Sequence, residues 1–384
     1  MRFLAVEGVT GKERAIGQDA VAALREAGVP ADCIRFDKAN EKIPLPTETG
    51  NLIVTLPGTQ PGPRLLFMTH LDTVPLCAGA VPVRKGNRIV PAGKTGLGGD
   101  NRTGVAVLVT LLATLLERNL PHPPLTVLFT VREESGLWGA RFVDPADLQH
   151  PKLGFNVDGR LPYEITLGAV GAQRWEVEIH GKAAHAGVHP EQGISATAVG
   201  ALAIAEAVRG GWFGKIKKGA KEGTSNVGSI SGAEGKSAGE ATNVVTDYAL
   251  IKGEARSHDA AFVRTIVKAY KDAFQKAARK VKDDRGRSGK IHFHSRIDYF
   301  PFRLKETNLA VRHALAAAKT AGWDATTRTT NGGLDANWLV RHGIPTITFG
   351  GGQYNIHTIE EYVNLDDFGA ACRYALALAT QPME

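Results

Sequence analysis

The sequence predicts an α/β fold: a mostly parallel sheet with helices on both faces, interrupted by a smaller α+β domain. Three observations carry this expectation. Apolar runs of strand length alternate with helical segments through residues 1–171, and the alternation resumes over residues 301–384. Between them, residues 172–300 change texture to alternating strands and a basic amphipathic helix.

The elements follow in order. Residues 13–27 read as a helix, NLIVTL (51–56) and RLLFMT (64–69) as strands, and RTGVAVLVTLLATLLE (102–117) as a strongly apolar helix. Strands are expected at 125–131 and 153–157. Strand runs without polar alternation, separated by apolar helices, imply a sheet buried on both faces. Residues 172–300 read as βαββαβ: QRWEVEIHG, the helix ISATAVGALAIAEAVR, TSNVGSIS, NVVTDYALIKGEA, the basic helix and KIHFHSRIDYF. KKGAKEG and DDRGRSGK read as mobile loops. Helices at 307–321 and 335–342, the strand IPTITF (344–349) and a helix from Leu365 complete the pattern.

Composition excludes several classes. With 43% hydrophobic and 22% charged residues over 384 positions, the chain is an ordinary globular protein large enough for two or three domains. No apolar run approaches the roughly 18 residues of a membrane span, and the start lacks an apolar segment with a small-residue cleavage site. The cytoplasm is the expected location, with no membrane partner. Cys33, Cys77 and Cys372 are odd in number and far apart, so neither a disulfide framework nor a thiolate metal site is expected.

The net charge of +7 is matched by the stretch 264–290, which holds ten Lys and Arg against three Asp. Phe262, Ile266, Tyr270, Phe274 and Val281 recur through it at mostly helical spacing. That pattern favours a helix with a solvated basic face over a nucleic-acid surface, which would interleave stacking aromatics.

The chemistry gathers where strands end. RLLFMT runs into His70, and Asp72, two residues on, can sit behind its ring as a histidine's orienting carboxylate. The glycine-rich GKTGLGGD delivers Asp100 to a helix start. Glu133 and Glu134 end a strand, where adjacent side chains leave on opposite faces. Asp158 ends LGFNV, and IPTITF leads through three glycines to His357. Taken singly, Asp100 is a helix cap and Glu134 a surface residue. Together these residues lie at the carboxyl edge of an open sheet, where sites form. Two histidines and three carboxylates without cysteine suit a pair of divalent ions with one carboxylate bridging. The adjacent glutamates can then divide the work, one ligating and one moving a proton.

The runs THLDTVP, GGDNRTG, EES, NVDG, GKAAHAG, TNVV and HTIEEYV, in this order and spacing, resemble the dinuclear zinc exopeptidase family of peptidase T, glutamate carboxypeptidase and acetylornithine deacetylase. The resemblance spans nearly the whole chain. EESGLWGA, GKAAHAGVHPEQGISA and KGEARSHD place it nearest the peptidase T-like, tripeptide aminopeptidase branch. It implies that His70 and Asp158 hold one ion, that Glu134 and His357 hold the other, and that Asp100 bridges both. It also implies that Asp72 orients His70 and that Glu133 is the general base. The ions would be zinc, with cobalt or manganese as alternatives. Where the family usually has a second Asp this chain has Asn101, and the family often keeps the preceding bond cis.

The resemblance further implies that His185 stabilises the oxyanion, often across a dimer formed by the inserted domain. Arg256 and Asn243 would bind substrate, the Arg fork gripping the carboxylate of a short peptide. An ion pair within the domain is the other reading of Arg256. His180, His189, His292 and His294 have no such motif and read as structural. NGGLDAN (331–337) offers either backbone N–H groups to a substrate or a helix capped by Asp335. The expected activity is hydrolysis of short peptides, with a carboxypeptidase or N-acyl amino acid deacylase as the alternative within hydrolysis. A metal-binding scaffold without catalysis is the alternative outside it.

Overall fold

The computed structural model describes residues 1–239 and 241–382. The chain divides into two compact units, Met1–Ala169 with Phe302–Glu384, and Val170–Pro301.

In the first unit, among the described residues, nine strands form one sheet. Its centre is parallel: Leu125–Thr130, Leu65–His70, Leu153–Val157 and Thr346–Phe349 lie side by side in that order. The first three of these are buried at every position, which is why they read as unbroken apolar runs. Antiparallel strands flank them, Leu52–Leu56 on one side and Glu164–Ala169 on the other. The helix Gly99–Glu117 packs against Arg14–Glu26 and Leu365–Thr380, while Trp138–Phe142 packs against Ala336–Arg341. Among the described residues no helix is long and apolar enough to cross a membrane.

A four-stranded sheet that the sequence reading missed joins Pro82–Lys85, Arg88–Pro91, Tyr362–Asn364 and Gln353–Tyr354. It ties the segment after His357 to residues far earlier in the chain, through Val363 opposite Ile89.

The second unit is a five-stranded antiparallel sheet with two helices, Ala196–Arg209 and Ala260–Lys280. Its order is βαβββαβ, correcting the expected βαββαβ. The added strand, Gly214–Lys218, is a lysine-rich edge with Ile216 as its one buried residue. KKGAKEG is the tight hairpin of this strand, with Lys218 opposite Lys221, not a mobile loop. NVVTDYALIKGEA enters the sheet only from Tyr248. In DDRGRSGK, Asp283 accepts the N–H groups of Arg285 and Arg287 and pairs with the Arg287 guanidinium, so that loop too is braced. The basic helix buries Phe262, Ile266, Tyr270 and Phe274 against the sheet, where Tyr270 and Phe274 meet Trp175. The three cysteines are free thiols.

Candidate metal and active site

His70 closes a strand of six buried residues, and its Nδ1 faces the backbone carbonyl of Asp72 at 3.0 Å and the carboxylate of Asp72 at 3.4 Å. The expected orienting contact therefore runs first through the main chain. The ring's Nε2 faces Asp100 Oδ1 at 3.3 Å. Asp100 turns its other oxygen, Oδ2, to His357 Nε2 at 3.1 Å. His357 in turn faces Glu134 Oε1 at 3.0 Å. One carboxylate thus reaches both histidines through separate oxygens.

Asp100 is held there by the start of its helix, where Asp100 and Asn101 leave helical geometry and the peptide between them is cis. Asn101 Oδ1 accepts the N–H of Gly104, and its Nδ2 donates to the Val157 carbonyl at 2.7 Å. An ionised Asp could make the first bond but not the second, which accounts for the amide at this position.

Glu133 and Glu134 do not leave opposite faces of a strand, as the sequence reading had them. The strand ends at Thr130, Arg132 adopts a left-handed φ of +54°, and the glutamates begin a turn. Both of their backbone N–H groups point at the Asp72 carboxylate, at 2.9 and 3.2 Å. Their side chains still separate. Donor atoms of His70, Asp100 and Glu134 cluster within 4.8 Å of one another, as do those of His70, Glu133 and Asp158.

Electrostatics follow from burying five carboxylates around two imidazoles. Burial acts against the charge of Asp100, but bonds from His357 and His70 hold its carboxyl well below the usual range. Bonds to Asp100 and Glu134 lift His357 to about 10. Burial opposes the charge on His70, yet Asp100 and Asp72 keep it well above its usual value. Burial, with repulsion from neighbouring carboxylates, pushes Glu134 up to about 7 and Glu133 and Asp158 well above their ordinary values. Such a surplus of nitrogen and oxygen donors, with unbalanced negative charge and no sulfur, fits divalent cations.

Residues 66–381 match Peptidase family M20/M25/M40. The chain belongs to this family. It is an M20 metallopeptidase, and the donor clusters around His70 are its candidates for two metal ions. It is 33% identical over 331 residues to the uncharacterized protein YqjE of Bacillus subtilis, with 86% of this chain and 84% of YqjE covered. The crystal structure of aminopeptidase PepT from Bacillus cereus superposes with a TM-score of 0.82 at 31% identity, covering 99% of this chain and 96% of that one. A tripeptidase from Staphylococcus aureus superposes with a TM-score of 0.86 at 27% identity, covering 99% and 95%.

Three site residues escaped the sequence reading of this M20 chain. Gln353 donates to Asp100 at 2.9 Å and to Asp158 at 3.3 Å, spanning two repelling carboxylates. Glu361 accepts three N–H bonds from the loop before Asp100. Asp335 does not cap its helix, since its side chain makes no cap bond; it accepts the Thr130 hydroxyl, and burial pushes it up to about 7. HTIEEYV contained Glu361 four residues after His357, the spacing that would have flagged it.

The unit Val170–Pro301 holds the remaining expected residues. His185 is exposed, and its Nδ1 accepts the N–H of Gly187 at 3.1 Å. Asn243 accepts the N–H of Ala186 through its backbone carbonyl. Arg256 makes a two-pronged pair with Glu254 at 2.9 and 3.0 Å, the ion pair that was its other reading.

Proposed function

We propose that this M20 peptidase is an aminopeptidase releasing the first residue of short peptides, tripeptides foremost. The observation that carries the reading is the placement of Glu133. Its backbone is pinned by Asp72, and its buried carboxyl lies with His70 and Asp158, raised well above its ordinary pKa by burial. A carboxylate so avid for a proton suits a general base. The likeness to an aminopeptidase and a tripeptidase supports the substrate class.

In this reading His70 and Asp158 hold one ion, Glu134 and His357 the other, and Asp100 is shared; zinc is the metal we expect, with cobalt or manganese as substitutes. Two bound divalent ions would polarise the scissile carbonyl and lower the pKa of water. Glu133 takes a proton from the attacking water and returns it to the leaving amine. His185 meets the charge that develops on the carbonyl oxygen through its Nε2 side. Arg256 reaches a peptide carboxylate by exchanging Glu254 for it, with Asn243 alongside. We further propose a homodimer through the Val170–Pro301 unit, and action in the cytoplasm.

The test is hydrolysis of free and N-blocked tripeptides by the zinc-loaded protein beside Glu133→Gln. Release of the first residue from free tripeptides alone, lost in Glu133→Gln while metal stays bound, is the expected result. Cleavage of blocked substrates would replace it with the carboxypeptidase or deacylase reading, and an undiminished Glu133→Gln rate would remove Glu133 as base.

A further inference from the structure

The glycines of GKTGLGGD have no part in the roles above, yet the backbone they form wraps a single carboxylate. Glu361 is 1% exposed. Its Oε2 accepts the N–H of Leu97 at 2.7 Å and of Gly98 at 2.8 Å, and its Oε1 accepts the N–H of Asp100 at 3.0 Å. The wrap needs the glycines. Gly98 sits at φ +80°, and a Cβ on Gly96 or Gly99 would stand 3.2 Å from the Glu361 oxygens.

Glu361 lies four residues after His357, and its own N–H returns to the Thr358 carbonyl. The turn His357 to Glu361 therefore grips Asp100 at both ends. His357 meets its carboxylate at 3.1 Å, and Glu361 holds its main-chain N–H.

We propose that Glu361 is a positioning residue of the metal centre, fixing the main chain of Asp100 so that its two oxygens stay divided between His70 and His357. The proposal rests on the reading of Asp100 as the shared ligand. An ionised carboxylate can accept on both oxygens, so it satisfies all three N–H groups at once. A glutamine of the same shape has one accepting oxygen and sets its NH2 against N–H donors on the other side. Glu361→Gln therefore frees one flank of the loop, either Leu97 with Gly98 or Asp100 itself. Groups that orient ligands in this way are worth about 10- to 100-fold in metal affinity or activity.

The experiment is calorimetric titration of the metal-free full chain with Zn²⁺, comparing wild type, Glu361→Gln and Gly99→Ala, with thermal unfolding of each metal-free protein. Gly99→Ala keeps the carboxylate and sets a methyl group 3.0 Å from Val363 Cγ2 and 3.2 Å from Oε1, so it crowds the same contact in a chain that retains the charge. We expect two ions in wild type and about a 10-fold or greater weakening of at least one of them in both variants. kcat on a tripeptide should fall by a similar factor with KM within about twofold. If the variants bind two ions as tightly as wild type, the proposal is overturned, even where their metal-free unfolding temperatures drop. If Glu361→Gln does not fold, Gly99→Ala decides by the same criteria. Fewer than two ions in wild type would instead overturn the two-metal reading, whatever the variants do.

Discussion

The carboxylate of Asp72 accepts the backbone N–H of Glu133 at 2.9 Å and that of Glu134 at 3.2 Å. A residue expected to serve one histidine thus also sets the main chain that carries the proposed base and a proposed ligand. Asp72→Asn keeps the volume but leaves one of those N–H groups facing an amide NH2. We expect kcat on tripeptides to fall about 10- to 100-fold, with weaker metal binding. Steady-state kinetics with metal analysis would check this, and a variant indistinguishable from wild type would return Asp72 to a packing role.

The pH dependence of the metal-free protein has a definite sign. Burial first, then neighbouring charge, raises Glu13 and Glu134 from 4.5 to about 7, and burial raises Asp335 from 3.8 to about 7. A carboxyl raised on folding costs stability as pH climbs from its unfolded to its folded pKa. His357 is raised from 6.5 to about 10, so its stabilising contribution is whole below 6.5 and lost toward 10. All four therefore lower stability as pH rises from about 5 to 9. Differential scanning calorimetry after chelation should give a melting temperature that falls across this range, and a rise would contradict the assignment.

Metal should reverse that trend, because the ligands bind as deprotonated groups. At pH 8, each ion at about 100 times its Kd would add roughly 2.7 kcal/mol to unfolding. The gain should shrink toward pH 5.5. Unfolding curves with and without zinc at the two pH values measure it; an equal gain at both would exclude ligation by the raised carboxyls.

In the inserted unit, Gly253 lies where Trp175 crosses its strand: a Cβ there would stand 2.3 Å from the indole and 2.5 Å from the Asn226 carbonyl. Gly253→Ala should cost about 1–3 kcal/mol by overpacking. Urea unfolding followed by Trp fluorescence would show it, whereas a neutral change would mean the indole can move aside.

The central strands were legible because burial on both faces leaves an apolar run with little alternation, as in LLFM and LTVLF. The other metal-type residues were legible because they end or follow such a strand, and Asp100 because a glycine-rich loop sets it at the start of an apolar helix. The edge strand GKIKK was missed because its lysines protect an open sheet margin and only Ile216 marks it as structure. The four-stranded sheet was missed because its strands are two to four residues long and its two local pairs are joined only by Tyr362–Asn364 meeting Arg88–Pro91, hundreds of positions apart. The left-handed Arg132 leaves no compositional trace, so the turn that carries Glu133 and Glu134 could not be read. Gln353 and Glu361 act through neighbours more than 190 residues away, a nearness that only folding creates.

The strand Thr346–Phe349 lies between Leu153–Val157 and Glu164–Ala169, although it is made almost two hundred residues after them. Its Phe349 carbonyl takes the N–H of Asp158, and the loop beyond it supplies His357. The place between those two strands is therefore filled only by chain that follows Val170–Pro301, a unit with its own core. The residues that would cut peptides converge only when the last eighth of the chain has emerged.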